Sequence, residues 1–371
     1  MSIEIVSVGN EVLRGIIVNT NAAFLGRRLT EEGWEIACQT TLSDDKPVLT
    51  PGLDKALMRS SVVIATGGLG TTVDDNTLVC AKELFSKHPH EMPNRVGVAP
   101  GYFFSENKRL LFLLPGVPSE MEQMFEDSIL PYLKKHVPAR SLYREQLHFY
   151  LLREDDVDPL LRDLQKEYAL DVGIYPSYSG LSVILRGANK EHVTLARKVI
   201  EKAFTNSLLP AATLEEAIQH WMIKHRQTLA LAESCTGGFM AAQLTTIPGA
   251  SEYFLGSAVA YANSLKESFL GVSQATLKKR GAVSREVVHE MWTGLMKKTG
   301  ADYGIAVSGI AGPQGGAPDK PVGTIFYALG KRGQMPDIDT LHVKGNRQTV
   351  ILRTTKKLFS FLVRDHLLKQ A

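Results

Sequence analysis

Ala230-Leu-Ala-Glu-Ser-Cys-Thr-Gly-Gly238 reads as a buried strand running into a glycine-marked turn and then a helix, with Ser234, Cys235 and Thr236 at the helix amino terminus. Unpaired backbone N–H groups at such a terminus can hold a developing oxyanion, and the helix dipole favours negative charge. Further on, Tyr261-Ala-Asn-Ser-Leu-Lys266 offers a lysine. An amine whose pKa is lowered by burial or by cationic neighbours can take a proton from serine near neutrality. On spacing alone two readings of Ser234 stand side by side, a nucleophile and a plain N-cap.

The chain around this stretch reads as α/β. From residue 3 to about 136, short apolar runs (Ile3 to Val8, Trp34 to Thr41, Val62 to Thr66, Leu110 to Leu114) alternate with amphipathic helical segments (Asn21 to Glu32, Pro47 to Arg59, Pro118 to Lys135). This predicts a mostly parallel sheet with helices on both faces, and ligands at the carboxyl ends of its strands. Residues 141–207 differ. A strand at Leu142 to Leu152, a helix at Asp155 to Tyr168, a hairpin around Ser179-Gly180 and a helix from Lys190 predict a small β-α-β-β-α module. Leu208 to Ala212 reads as a linker, and Thr213 with Glu216 as a capping box opening a second α/β unit.

With 371 residues, two or three domains are expected. Hydrophobic residues make up 44% and charged ones 22%, and the net charge is only +3, a soluble balance without the broad basic stripe of a nucleic-acid binder. Cys38, Cys80 and Cys235 are far apart, which suggests neither a disulfide framework nor a zinc site and fits a reducing cytoplasm. The amino terminus lacks a basic region followed by an apolar core, and no run approaches the length of a membrane span.

In the first half, Thr66-Gly-Gly-Leu-Gly-Thr-Thr-Val-Asp-Asp75 follows a buried strand. Gly67, Gly68 and Gly70 would let backbone amides approach a phosphate, and Asp74 and Asp75 could hold a divalent metal, although a tight turn with an Asp cap reads equally well. The Walker and dinucleotide-binding spacings are both missing. Pro115-Gly-Val-Pro-Ser-Glu-Met121 closes the next strand, placing Pro115, Gly116 and Glu120 at the same sheet edge. Glu11 and Asp44 are further carboxylates for a metal there.

These motifs, together with Gly9-Asn-Glu-Val-Leu-Arg-Gly15, Asn19-Thr-Asn21 and Asn94-Arg-Val-Gly-Val-Ala-Pro-Gly101, resemble the amino-terminal domain of CinA-family proteins. Ala232-Glu-Ser-Cys-Thr-Gly-Gly238, Gly281-Ala-Val-Ser284, Ser308-Gly-Ile-Ala-Gly-Pro-Gln-Gly-Gly316 and Lys320-Pro-Val-Gly-Thr324 resemble the family's carboxyl-terminal nicotinamide-nucleotide amidase domain. The resemblance implies a molybdopterin-binding-like domain over 1–140, a KH-like module over 141–207 and an α/β amidase domain over 213–371. By this resemblance Ser234 is the nucleophile and Lys266 its base. Tyr261, Thr236 and Asn263 assist or orient them, Ser308, Gly309, Gly312, Gly315 and Gly316 form a substrate loop, and Arg347 meets a phosphate. Cys235 is the rival nucleophile.

The implied activity is hydrolysis of nicotinamide mononucleotide to nicotinate mononucleotide and ammonia, without a cofactor. A metal-dependent ADP-ribose pyrophosphatase in the first domain accompanies it, with small nucleotide substrates and a homodimeric state. The alternative is a catalytically silent pterin- or nucleotide-binding protein, or a competence-related adaptor. The chain departs from the family pattern in three places. The stretch between Thr77 and Asn94 is short, Gly70-Thr71-Thr72-Val73 replaces a usual Gly-Pro-Thr and polar residue, and Ile351 stands where a second arginine is common.

Overall fold

The structure, a computed structural model, describes residues 2–70, 75–139 and 142–368. The chain divides into two compact units, one ending at Leu142 and one beginning at Tyr143.

The first unit runs β1 (Ile3–Val8), α1 (Asn10–Leu13), α2 (Thr20–Glu31), β2 (Ile36–Leu42), α3 (Lys46–Arg59), β3 (Val62–Thr66), α4 (Thr77–Leu84), β4 (His90–Met92), β5 (Gly101–Glu106), β6 (Arg109–Leu114), α5 (Pro118–Met124) and α6 (Leu130–His136). Its sheet has the order β2-β1-β3-β6-β5-β4. The strands from β2 to β6 in that order are parallel, and β5 and β4 are antiparallel. All six residues of β1 are buried. Ile3 and Ile5 face one apolar cluster while Val6 and Val8 face another, so helices cover both faces. The two antiparallel strands escape the sequence pattern because β4 has only three residues and β5 runs three aromatics together before Ser105 and Glu106, without alternation.

The second unit opens with β7 (Tyr143–Tyr150), α7 (Glu154–Tyr168), β8 (Asp171–Pro176), β9 (Gly180–Gly187), α8 (Lys190–Ala203) and β10 (Leu208–Leu209). They form a four-stranded sheet in the order β10-β7-β9-β8. The expected linker is therefore partly strand, since Leu208 and Leu209 pair with Phe149 and His148. Next come α9 (Leu214–Lys224), β11 (Leu229–Glu233), α10 (Phe239–Thr245), β12 (Phe254–Val259), α11 (Asn263–Leu270), α12 (Gln274–Arg280), α13 (Arg285–Thr299), β13 (Tyr303–Gly309), β14 (Thr324–Lys331), β15 (Asp337–His342) and α14 (Arg347–Phe361). Thr213 caps α9 as expected, but Glu216 reaches back to the amide of Ala212 instead of Thr213.

The five-stranded sheet has the order β12-β11-β13-β14-β15, with β12, β11 and β13 parallel. Its two faces differ in side-chain size. Leu229 and Leu231 point into the larger core with α9, α10 and α14, whereas Ala230, Ala232, Ala306 and Ala328 face α11 and α13. Small residues on that face let the helices lie close. Trp292 Nε1 donates to the carbonyl of Gly304 at 2.9 Å, and a Cβ on Gly304 would sit 2.4 Å from Met296 Sδ. No helix among the described residues is long and apolar enough to cross a membrane.

Gly294, in the middle of α13, lies against α11, and a Cβ there would fall 1.7 Å from the carbonyl oxygen of Leu270. Glycine costs a helix about 1 kcal/mol relative to alanine, so close approach of the two helices is what this residue provides. Gly294→Ala should destabilise the protein by about 1–3 kcal/mol despite the better helix propensity. A fall in the denaturation midpoint of the second unit checks this; a rise would refute the close-packing account.

Candidate active site

Ser234 follows the last residue of β11, and Lys266 lies one turn into α11. They meet because β11 and β12 run parallel in register, Glu233 beside Val259, so both strands end at the same level of the sheet. The Ala260 amide then donates to the Glu233 carbonyl at 2.8 Å, and on the other side the Ser234 amide donates to the Val307 carbonyl at 3.1 Å. The chain passes from β11 to β12 on one side and later to β13 on the other. The serine therefore stands at the carboxyl-end switch point where open α/β sheets form crevices.

Lys266 is 1% exposed and Ser234 is 7% exposed. Nζ lies 3.0 Å from Ser234 Oγ and donates to the carbonyls of Ala260 at 2.8 Å and Tyr261 at 3.0 Å. A neutral amine satisfies this geometry fully, with two N–H groups on the carbonyls and its lone pair toward the serine hydroxyl. Burial lowers the Lys266 pKa below its ordinary 10.5. Burial pushes the Cys235 thiol up to about 12, so at neutral pH it is a thiol packed in the apolar core.

The expected helix start at Ser234 is corrected. Residues 234–237 form a turn, and α10 begins only at Phe239 with Gly238 as its N-cap. The first amides of α10 are already taken by Glu233, whose buried carboxylate accepts from Gly238, Met240 and Ala241. Sequence reasoning passed over Glu233, although a carboxylate just before a glycine turn was the signal available. The Thr236 amide is matched to no acceptor among the described residues, the Cys235 amide turns only toward its own sulfur, and the buried Thr236 hydroxyl has no partner.

Arg347 joins two other expected residues. Its guanidinium donates to the Gly312 carbonyl at 2.9 Å and to the Tyr261 hydroxyl at 2.8 Å. Two of five donors are thereby used. Tyr261 is 57% exposed, and Asn263 is an exposed first residue of α11. Gly309 ends β13, and Gly312, Gly315 and Gly316 lie in its connection to β14. Ser308 is set apart, its buried hydroxyl donating to Ala282 at 2.7 Å. A cavity of about 660 Å³ adjoins the turn, walled by Thr236, Gly237, Gly238, Phe239 and Ala242 on one side and Gln348, Ile351 and Leu352 of α14 on the other.

A larger cavity, about 980 Å³, lies in the first unit and gathers Glu11, Asp44, Gly67, Gly68, Gly70, Asp75, Pro115, Gly116 and Glu120. Asn21 holds its two loops together, donating to Thr66 Oγ1 at 3.0 Å and to the Gly116 carbonyl at 2.8 Å, while Thr66 Oγ1 donates to Pro115. The Asp44 carboxylate accepts from the backbone and side-chain amides of Asn10, and Glu120 accepts from Asn94 at 2.6 Å. Asp74 lies outside the described residues. Among the described residues no three His, Cys, Asp or Glu groups converge as metal ligands. Asp74, one of the expected ligands, is not among them, and no step is derived through a metal here.

Residues 4–135 match the family described as probable molybdopterin binding domain, and residues 211–365 match the CinA C-terminal domain. A putative competence-damage inducible protein of Halothermothrix orenii is 34% identical over 408 aligned positions, covering 98% of each chain. A CinA-like protein of Dictyoglomus thermophilum is also 34% identical, covering 98% of this chain and 99% of its own. Both alignments exceed the 371 residues of this chain, so these relatives carry stretches without a counterpart here. The crystal structure of competence damage-inducible protein A (ComA) from Klebsiella pneumoniae is 33% identical, covering 41% of this chain and 94% of that one, with a TM-score of 0.40.

Of the three free thiols, only Cys38 is partly exposed, while Cys80 and Cys235 are buried. Iodoacetamide at mildly alkaline pH should label Cys38 in the folded protein and reach Cys235 only after denaturation. Peptide mass mapping reads this directly, and rapid native labelling of Cys235 would refute its placement in the core.

Proposed function

Because this chain belongs to the CinA family, we propose that its second unit hydrolyses the carboxamide of nicotinamide mononucleotide, giving nicotinate mononucleotide and ammonia. The observation that carries this reading is the buried Ser234–Lys266 pair, 3.0 Å apart with no carboxylate or imidazole between them. Neutral Lys266 takes the Ser234 proton as Oγ attacks the amide carbon. The negative oxygen of the tetrahedral intermediate meets the amides of Cys235 and Thr236. Lys266 returns the proton to the departing nitrogen, ammonia leaves, and a water activated by the same amine cleaves the acyl-enzyme. Arg347 has donors left for a phosphate beside Tyr261 and the glycine connection.

Ser234 is favoured over Cys235 on geometry and electrostatics, since the thiol is held protonated in the core while the hydroxyl faces a base. Ser234→Ala should lower the rate of ammonia release from nicotinamide mononucleotide by about three to six orders of magnitude. Cys235→Ala should retain turnover. The reverse pattern would overturn the assignment. Since the working form of Lys266 is the neutral amine and burial lowers its pKa, kcat/KM should rise with pH through a limb that lies below 10.5. A limb at or above the ordinary lysine value would refute Lys266 as the base.

A second reading assigns the larger cavity of the first unit, edged by Gly67, Gly68 and Gly70, to a phosphorylated small molecule such as ADP-ribose. Its described lining includes Glu11, Asp44, Asp75 and Glu120 but no lysine or arginine, so a pyrophosphate would need an accompanying cation to enter. Chelator-sensitive release of AMP from ADP-ribose, lost in Asp75→Ala, is the expected result. Absence of release with any divalent metal would refute it.

A further inference from the structure

We propose that Glu233 is a positioning residue for the nucleophile, its buried carboxylate clamping both ends of the turn that carries Ser234. The inference rests on the Ser234–Lys266 reading above. Glu233 is the last residue of β11 and is fully buried. Its Oε2 accepts from the backbone N–H of Gly238 at 3.0 Å and of Met240 at 3.1 Å. Its Oε1 accepts from the Ala241 N–H at 3.0 Å and from Ser257 Oγ at 3.0 Å. Four donors on two oxygens, with neither oxygen donating, is the pattern of a carboxylate. A buried charge is costly unless it is hydrogen-bonded, and backbone dipoles at the start of α10 provide that here.

Two consequences follow from this arrangement. The chain leaves the sheet at Glu233 and is caught again by the same side chain at Gly238, so residues 234–237 are held at both ends. The Ser257 bond ties that clamp to β12, the strand whose exit carries the carbonyls that orient Lys266. The second consequence concerns anions. With the first amides of α10 already occupied, the helix terminus cannot serve the oxyanion, and the task passes to the amides of Cys235 and Thr236 within the clamped turn. Glutamine would not replace the side chain, because its NH2 group would face backbone N–H donors on one of the two sides.

The test uses the full chain and a probe that needs no nucleotide, diisopropyl fluorophosphate. Ser234 Oγ bonds to phosphorus, the P–F bond breaks with loss of fluoride, and the serine proton passes to Lys266. Wild type should be phosphorylated at Ser234, and Glu233→Gln about 100-fold more slowly, the scale of a small misplacement of a reacting group. The KM for nicotinamide mononucleotide should stay near wild type while kcat falls, and the pH limb set by Lys266 should not move. A residue that only stabilised the fold would lower the melting temperature and leave the labelling rate of folded protein unchanged. Ser257→Ala, which deletes one of the four donors, should slow labelling in the same direction and serves where the glutamine variant does not fold. Labelling of folded Glu233→Gln or Ser257→Ala at the wild-type rate overturns the proposal. Wild type that labels Ser234 yet releases no ammonia from the mononucleotide refutes the substrate reading and leaves the positioning role standing. Wild type that never labels at Ser234 overturns both.

Discussion

A lysine amine taken out of water must have its hydrogen-bonding directions filled, and much of the second unit is arranged around that requirement at Lys266. Two carbonyls from the exit of β12 and the hydroxyl of Ser234 supply the three partners. They can do so because α11 lies tightly on α13, where Gly294 lets the helices approach, and because the sheet beneath presents alanines. Loosening any of these contacts would admit water to the amine, which would restore the charged form and remove the base.

The two units solve the placement of a site in the same way. In each, a fully buried central strand has its following strand on one side and the next parallel strand on the other, giving the local orders β2-β1-β3 and β12-β11-β13. The loops leaving the central strand diverge there, and a crevice opens at the carboxyl ends. In the first unit Gly9 and the Gly67–Gly70 loop occupy that crevice, with Asn21 and Thr66 holding the neighbouring loop in place. A Cβ on Gly67 would fall 2.1 Å from the Val8 carbonyl oxygen, so the loop can pass the strand end only without a side chain. The crevices differ in chemistry. One is lined by carboxylates, and the other holds a buried amine facing a hydroxyl.

Much of the architecture is legible in the amino-acid sequence. Strongly apolar runs such as Val62 to Thr66 and long amphipathic helices carry their period in the sequence, and their observed bounds lie within a residue or two of the expected ones. The short antiparallel strands β4 and β10 were not legible, because two or three residues do not establish a period and pairing comes from neighbours distant in the chain. The turn at Ser234 departs from the sequence pattern in where the helix begins. Glycines at 237 and 238 marked the end of the strand correctly, but both adopt positive φ and delay the helix to Phe239.

The amino-acid sequence by itself determined the α/β class, the identity of the motif residues and the family to which the chain belongs, because these depend on local periodicity and on residue types in order. Only the tertiary structure decided that Ser234 and Lys266 touch, that Cys235 is buried as a protonated thiol, and that Glu233 takes the helix amides. Each of those depends on the parallel register of β11 with β12 and on burial. Hydrogen-bond partners and desolvation are properties of the packed interior, and no window of sequence contains both sides of such a contact.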